Sequence, residues 1–229
     1  MMQFGLSIAL SAVLVLSLAL LLSFGSLGYK RQNKRNFSFL CEFPFEFVEG
    51  NDPFSKASSF FVISLAASSA LCCTCCLWNS ALLVYLPLGI ALVLLGVFRA
   101  VGLVLLFRVP AYRFKFHSLL TVLYFCFSAF LSCLQAIFFL NMRSFDDPVP
   151  TIVLVVLEFV IALALCLLAI NPKIASWTEL ESTGTADGGV EIHRPKPFVL
   201  AASEWAAIAL ELASSLIFLF GIAYFVLSL

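Results

Sequence analysis

The sequence predicts an all-α integral membrane bundle of six transmembrane helices, and three observations carry that expectation. Hydrophobic residues make up 62% of the chain and charged residues 11%, against roughly 45–50% and about 25% in soluble globular domains. Mean hydropathy is +1.09. The apolar residues also collect into runs long enough to cross a bilayer, which takes about 20 residues, with polar stretches between them. The whole chain, 1–229, therefore reads as a single transmembrane domain.

Residues 4–27 form the first apolar run, with KRQNKR directly behind it. A cleavable leader has a basic segment in front and a shorter apolar core, so this run is read as a retained span. Residues 28–56 make a loop that begins basic and ends acidic and aromatic; Phe43, Pro44, Phe45, Phe47, Pro53 and Phe54 suggest that it lies against the membrane surface or the bundle. Residues 57–77 are a second span rich in Ser and Ala, which permit close helix contact where lipid supplies no hydrophobic drive. Trp78-Asn79-Ser80 then turns the chain into the third span, 81–107, with a kink expected at Pro87 and a notch of small residues at Gly96 and Ala100. A short basic loop leads to the fourth span, 117–140. The turn at Arg143 to Val149 precedes the fifth span, 150–170. Residues 171–197 are a polar, glycine-containing loop expected to be flexible, and 198–228 are the sixth span.

Six spans place the loops at 28–56, 108–116 and 171–197 on one face, here face B, and the turns on the other, face A. Eleven of the 13 lysines and arginines lie on face B, with Arg143 on face A and Arg99 inside the membrane. The positive-inside rule places face B in the cytosol and both termini outside it.

Arg99 is the residue that most constrains the packing, because a cation near the bilayer centre costs about 2.5 kcal/mol or more unless it is compensated. Glu158, Glu204 and Glu211 are the carboxylates in comparable settings. With about 1.5 Å of rise per residue, Arg99 lies ~8 Å from its span midpoint toward face B, Glu204 ~13 Å toward face B, and Glu211 and Glu158 within ~4 Å of their midpoints. Glu204 and Glu211 are seven apart and share a helix face. The third and last helices are therefore expected to touch, with Arg99 reaching one or both acids. This intramembrane charge network is either a structural ion pair, the lining of a polar cavity, or an arginine that snorkels alone.

Cys72, Cys73, Cys75 and Cys76 end the second span. Juxtamembrane cysteines are S-palmitoylation targets, and small buried packing residues are the competing reading; zinc is a distant third, since no nearby histidine completes a tetrahedron. Asn36-Phe37-Ser38 is a glycosylation sequon, and such triplets arise often by chance. The two histidines, His117 and His193, fall in different segments. No G-x-S-x-G, H-E-x-x-H or P-loop pattern occurs, so no catalytic residue, metal or cofactor is assigned. Zero net charge and the lack of a basic aromatic stripe give no case for nucleic acid; membrane lipids are the first expected partners.

His117, Phe125 and Leu134-Gln135-Ala136-Ile137 in the fourth span, Ser203-Glu204-Trp205 opening the last, and Phe43-Pro44-Phe45 followed by Gly50 and Pro53 resemble the pattern of the damage-regulated autophagy modulator (DRAM) family and its six-span relatives. The resemblance implies a non-catalytic protein of lysosomal, endosomal or plasma membranes, acting in autophagy, in recruitment of a peripheral phosphatidylinositol kinase complex, or beside relatives that remodel GPI-anchored lipids. His117, Gln135, Glu204 and Trp205 are the positions it carries over. It also implies cytosolic termini, opposite to the charge count, which leaves orientation open. The leading expectation is a multi-pass regulator or adaptor that also contacts other membrane proteins. A transporter or channel subunit using Arg99, Glu158 and Glu211 is the first alternative, and a lipid-remodelling enzyme the second.

Overall fold

The computed structural model describes residues 2–77, 86–111, 113–141, 148–172, 181–184, 190–193 and 197–228. Among the described residues six helices are long and apolar enough to cross a membrane: α1 (Met2–Asn33), α2 (Pro53–Thr74), α3 (Leu86–Arg108), α4 (Phe114–Asn141), α5 (Pro148–Ile170) and α6 (Val199–Ser228). The protein is a multi-pass, all-α membrane bundle. The turn at 78–80 and most of the turn at 143–149 lie outside the described residues.

Helix ends follow local chemistry more than hydropathy. α1 runs past residue 27 because the polar residues that follow still favour helix, and Lys30 and Arg31 in its last turn suit the negative end of the helix dipole. It stops where Lys34 adopts a left-handed φ of 55°. α2 starts four residues before the apolar run, since the Asp52 side chain accepts from Phe54 N at 2.8 Å and Pro53 occupies the first turn, a position where a proline has no helical hydrogen bond to lose. Pro87 is the second residue of α3 as described; residues 81–85, against which the expected kink would show, lie outside the described residues.

The loop before α6 holds a short antiparallel hairpin, β1 (Glu181–Gly184) and β2 (Val190–His193), with Glu181 opposite His193. Val190 and Ile192 on the second strand are the β-branched residues that favour pairing.

Consecutive helices from α1 to α5 pack in sequence order, and α6 lies against α1, α2, α4 and α5. Close approach comes from small residues. A Cβ added to Gly28 would stand 2.7 Å from Ser55 Oγ, and one added to Gly96 would stand 2.7 Å from Cys73 Sγ; Ser17 and Ser64 bond at 2.8 Å between α1 and α2. Large apolar side chains such as Phe60, Leu94, Phe130 and Val160 point outward, as a lipid-facing surface requires.

On face B the first loop folds back over the bundle as an aromatic strap. Phe43, Phe45 and Phe47 are buried, and a 3-10 turn at Pro44–Phe47 sets them against α3 and α6. Leu40 O accepts from Phe198 N at 2.7 Å, and Glu42 O accepts from Trp205 Nε1 at 3.0 Å. Both bonds fasten the loop to the start of α6. The Glu42 carboxylate holds the strap from within, accepting from Ser38 N at 2.8 Å and Tyr29 Oη at 3.2 Å and meeting Arg35 at 3.3 Å.

Candidate functional site

Three buried polar centres lie along α6, each built around one acid. Placing polar groups on α6 is economical because that helix borders four others, so a side chain on it can be satisfied without facing lipid.

The middle centre surrounds Arg99, whose side chain is fully buried. Its Nε lies 3.4 Å from Glu211 Oε1, and its Nη2 donates to Ser69 Oγ at 2.6 Å and Ser215 Oγ at 3.1 Å. Ser69 Oγ donates to Glu211 Oε1 at 2.7 Å, and Tyr124 Oη donates to Glu211 Oε2. Helices α2, α3, α4 and α6 thus each contribute a group. The guanidinium is held by one carboxylate and two hydroxyls, and that carboxylate accepts in turn from Ser69 and Tyr124, which is how a low-dielectric interior retains an ion. Arg99 Nε and Nη1 have no hydrogen-bond partner among the described residues.

Of the two acids left open to Arg99, Glu204 is the one nearer face B and the one it does not reach. Glu204 pairs instead with His117, Nε2 to Oε1 at 2.8 Å, with Thr121 Oγ1 donating at 2.9 Å. Depth explains the choice. Seven residues separate Glu204 from Glu211, about 10 Å along the axis, and one guanidinium does not bridge both. His117 Nδ1 lies 2.8 Å from Val109 O. A carbonyl only accepts, so Nδ1 carries the proton, and a single further proton lies between Nε2 and Glu204. Phe43 and Phe45 meet the imidazole edge-on, at centroid distances of 5.5 and 6.1 Å. Both His117 and Glu204 are 0% exposed beneath that strap.

The third centre lies toward face A. Ser214 Oγ sits 2.7 Å from Gln135 Oε1, 2.8 Å from Glu158 Oε2 and 3.0 Å from Ser132 Oγ. Glu158 therefore has a hydroxyl and amide cluster of its own and no ion pair among the described residues.

The residues carried by sequence resemblance, His117, Gln135, Glu204 and Trp205, are all buried, and each makes a cross-helix or strap contact in these centres. α3 and α6 touch through side chains, Arg99 to Glu211 and Phe107 to Trp205 at 5.9 Å between centroids. Cys72, Cys73, Cys75 and Cys76 are all buried, and each thiol turns back to a carbonyl of the helix one turn earlier. Packing accounts for them, and acylation would need them exposed. Cys41 and the remaining cysteines are free as well. Asn36 is exposed in the first loop. No cluster of metal-ligating side chains occurs among the described residues.

Sequence reasoning gives no polar role to Glu42, Ser69, Thr121 or Ser214. Glu42 sits in an aromatic loop where a carboxylate usually faces water. The hydroxyl residues looked like helix spacers, and only their register against α6 distinguishes them from the other serines.

Comparison with family models, curated proteins and solved structures finds no match for this chain.

Proposed function

We propose that the protein is a non-catalytic multi-pass regulator or adaptor, in which the six helices form a fixed platform and face B meets partners or lipid headgroups. The observation that carries this reading is the sealing of the intramembrane charges. A transport pathway needs its charged groups hydrated at some stage, yet Arg99, Glu158 and Glu204 are 0% exposed and Glu211 4%. Four surface cavities, of about 270 to 480 Å3, are lined by other residues, and none of the four reaches these charges. The likeness to the DRAM family supports placing the platform in lysosomal, endosomal or plasma membranes, in autophagy or in recruitment of a phosphatidylinositol kinase complex.

Reconstitution tests the reading. Proteoliposomes should conduct Na+, K+ and protons no faster than protein-free vesicles, while the tagged full-length protein isolated from cells brings down a lipid kinase complex or autophagy components. Ion flux that disappears on Arg99→Gln would overturn it in favour of a channel or transporter.

One observation favours a second reading. His117 and Glu204 form an acid-base pair at one membrane depth, which a lipid-remodelling enzyme would need, although the strap closes it. Turnover of a lipid by purified protein, abolished by His117→Gln, would establish that activity instead.

A further inference from the structure

Where the first loop meets the end of α3, a cavity of about 340 Å3 is walled by Phe45, Phe107 and Val109 and bordered by Glu49, Arg108 and Arg113. Arg108 is the last residue of α3 and Arg113 belongs to the turn before α4, so the cavity lies where hydrocarbon gives way to headgroups. All three charged residues are exposed, and none has an ion-pair partner among the described residues. Their arrangement is specific in sign. Two guanidiniums and one carboxylate border a single cavity of mixed polar and apolar lining, backed by the buried rings of Phe107 and Phe45.

We propose that this cavity binds the headgroup of an aminophospholipid, with Arg108 and Arg113 taking the phosphodiester and Glu49 the primary ammonium. Guanidinium is the side chain best matched to phosphate oxygens, through paired N–H donors of fixed geometry. Glu49 supplies the selectivity. A lipid with only negative charge satisfies the arginines and leaves the carboxylate facing more anion or neutral hydroxyls, whereas an ammonium donates to it directly. The apolar part of the lining, around Val48, Val109 and Pro110, suits the glycerol and the first methylenes of the chains. The excess of basic residues on face B favours the cytosolic leaflet, where phosphatidylserine supplies both a phosphodiester and an ammonium. Two wall residues extend the site inward: Val109 O accepts from His117, and Phe45 lies against the same imidazole. An occupied cavity therefore braces the strap over the His117–Glu204 pair.

The proposal deepens the platform reading by naming the lipid class that face B meets. Its test measures lipid retention without any recruited partner or ion flux, so either idea can fail alone. Delipidated full-length protein in detergent is incubated with equal amounts of dioleoyl phosphatidylethanolamine, phosphatidylserine, phosphatidylcholine and phosphatidylglycerol, and bound lipid is read by native mass spectrometry. The wild type should retain phosphatidylethanolamine and phosphatidylserine above phosphatidylglycerol. Glu49→Gln should reduce that preference by about threefold, as for loss of one exposed charge pair. Arg108→Gln with Arg113→Gln should lower retention of every phospholipid, by about fivefold per arginine. If the double variant does not purify, Arg113→Gln alone, on the exposed turn, reads the same loss in part. Equal retention of the four lipids by the wild type, a preference for phosphatidylglycerol, or binding indifferent to these substitutions would each overturn the assignment.

Discussion

Glu204 and Glu211 occupy the same face of one helix, and their surroundings make them chemically unlike. Glu211 faces an arginine, which stays protonated in any protein environment, so its centre holds a permanent charge pair that must remain matched. Glu204 faces a histidine, and that pair can hold its shared proton on either partner; as neutral imidazole and carboxylic acid it carries no charge at all. The difference shows that two acids buried almost alike need not carry equal stakes. The partner decides whether an acid is an ion.

Substitutions that separate the two centres should therefore differ by several-fold in cost. The largest effect is expected for Arg99→Met, which strands Glu211 without its cation and should cost about 3–5 kcal/mol, as for other broken buried pairs. Thermal unfolding in detergent reads this as a large drop in midpoint, and Arg99→Met with Glu211→Met should recover most of it. A double variant no more stable than the single one would show that the hydroxyls, rather than the charge, dominate this centre. Next comes Trp205→Phe, which keeps a ring edge-on to Phe47 and removes the bond to Glu42 O, at about 1 kcal/mol; the strap should then become more accessible to protease while the helices stay intact. Glu204→Gln should cost less than about 1 kcal/mol, because the amide donates to neutral His117 where the acid did. A loss as large as that of Arg99→Met would mean that the pair is held as imidazolium and carboxylate. The smallest effect, roughly 0.5 kcal/mol or less, is expected for Arg35→Gln, since that guanidinium is 60% exposed at its contact with Glu42.

The six spans were legible because bilayer thickness imposes a length that hydropathy reports directly. The middle centre was partly legible for a related reason. An isolated cation in an apolar run demands an acid at similar depth, and arithmetic on helix rise selected the last helix. The same arithmetic did not choose between Glu204 and Glu211, because at ~8 Å from its midpoint Arg99 falls about midway between them. His117 decides the matter from another helix, at a register that no local pattern reveals. Helix ends were the least legible feature, since Asp52, Pro53 and Lys30 act through capping and dipole chemistry that a hydropathy window averages away. The first loop lay between these cases: its phenylalanines announced burial, while Glu42, which holds the loop to α1 through Tyr29 and to α6 through its own carbonyl, carried no sign of that task.

Leu40 and Glu42 are bonded to residues about 160 positions later in the chain, at Phe198 and Trp205. A ribosome delivers the early segment long before the late one, so the strap waits through the synthesis of four more spans without its anchor. During that interval Arg99 is also without Glu211. Insertion of the sixth span closes both at once, sealing the loop and matching the charge in a single event. A chain interrupted before residue 198 would thus expose an aromatic loop on one side and an unmatched cation within the bilayer, two features by which a membrane quality-control system could recognise it as unfinished.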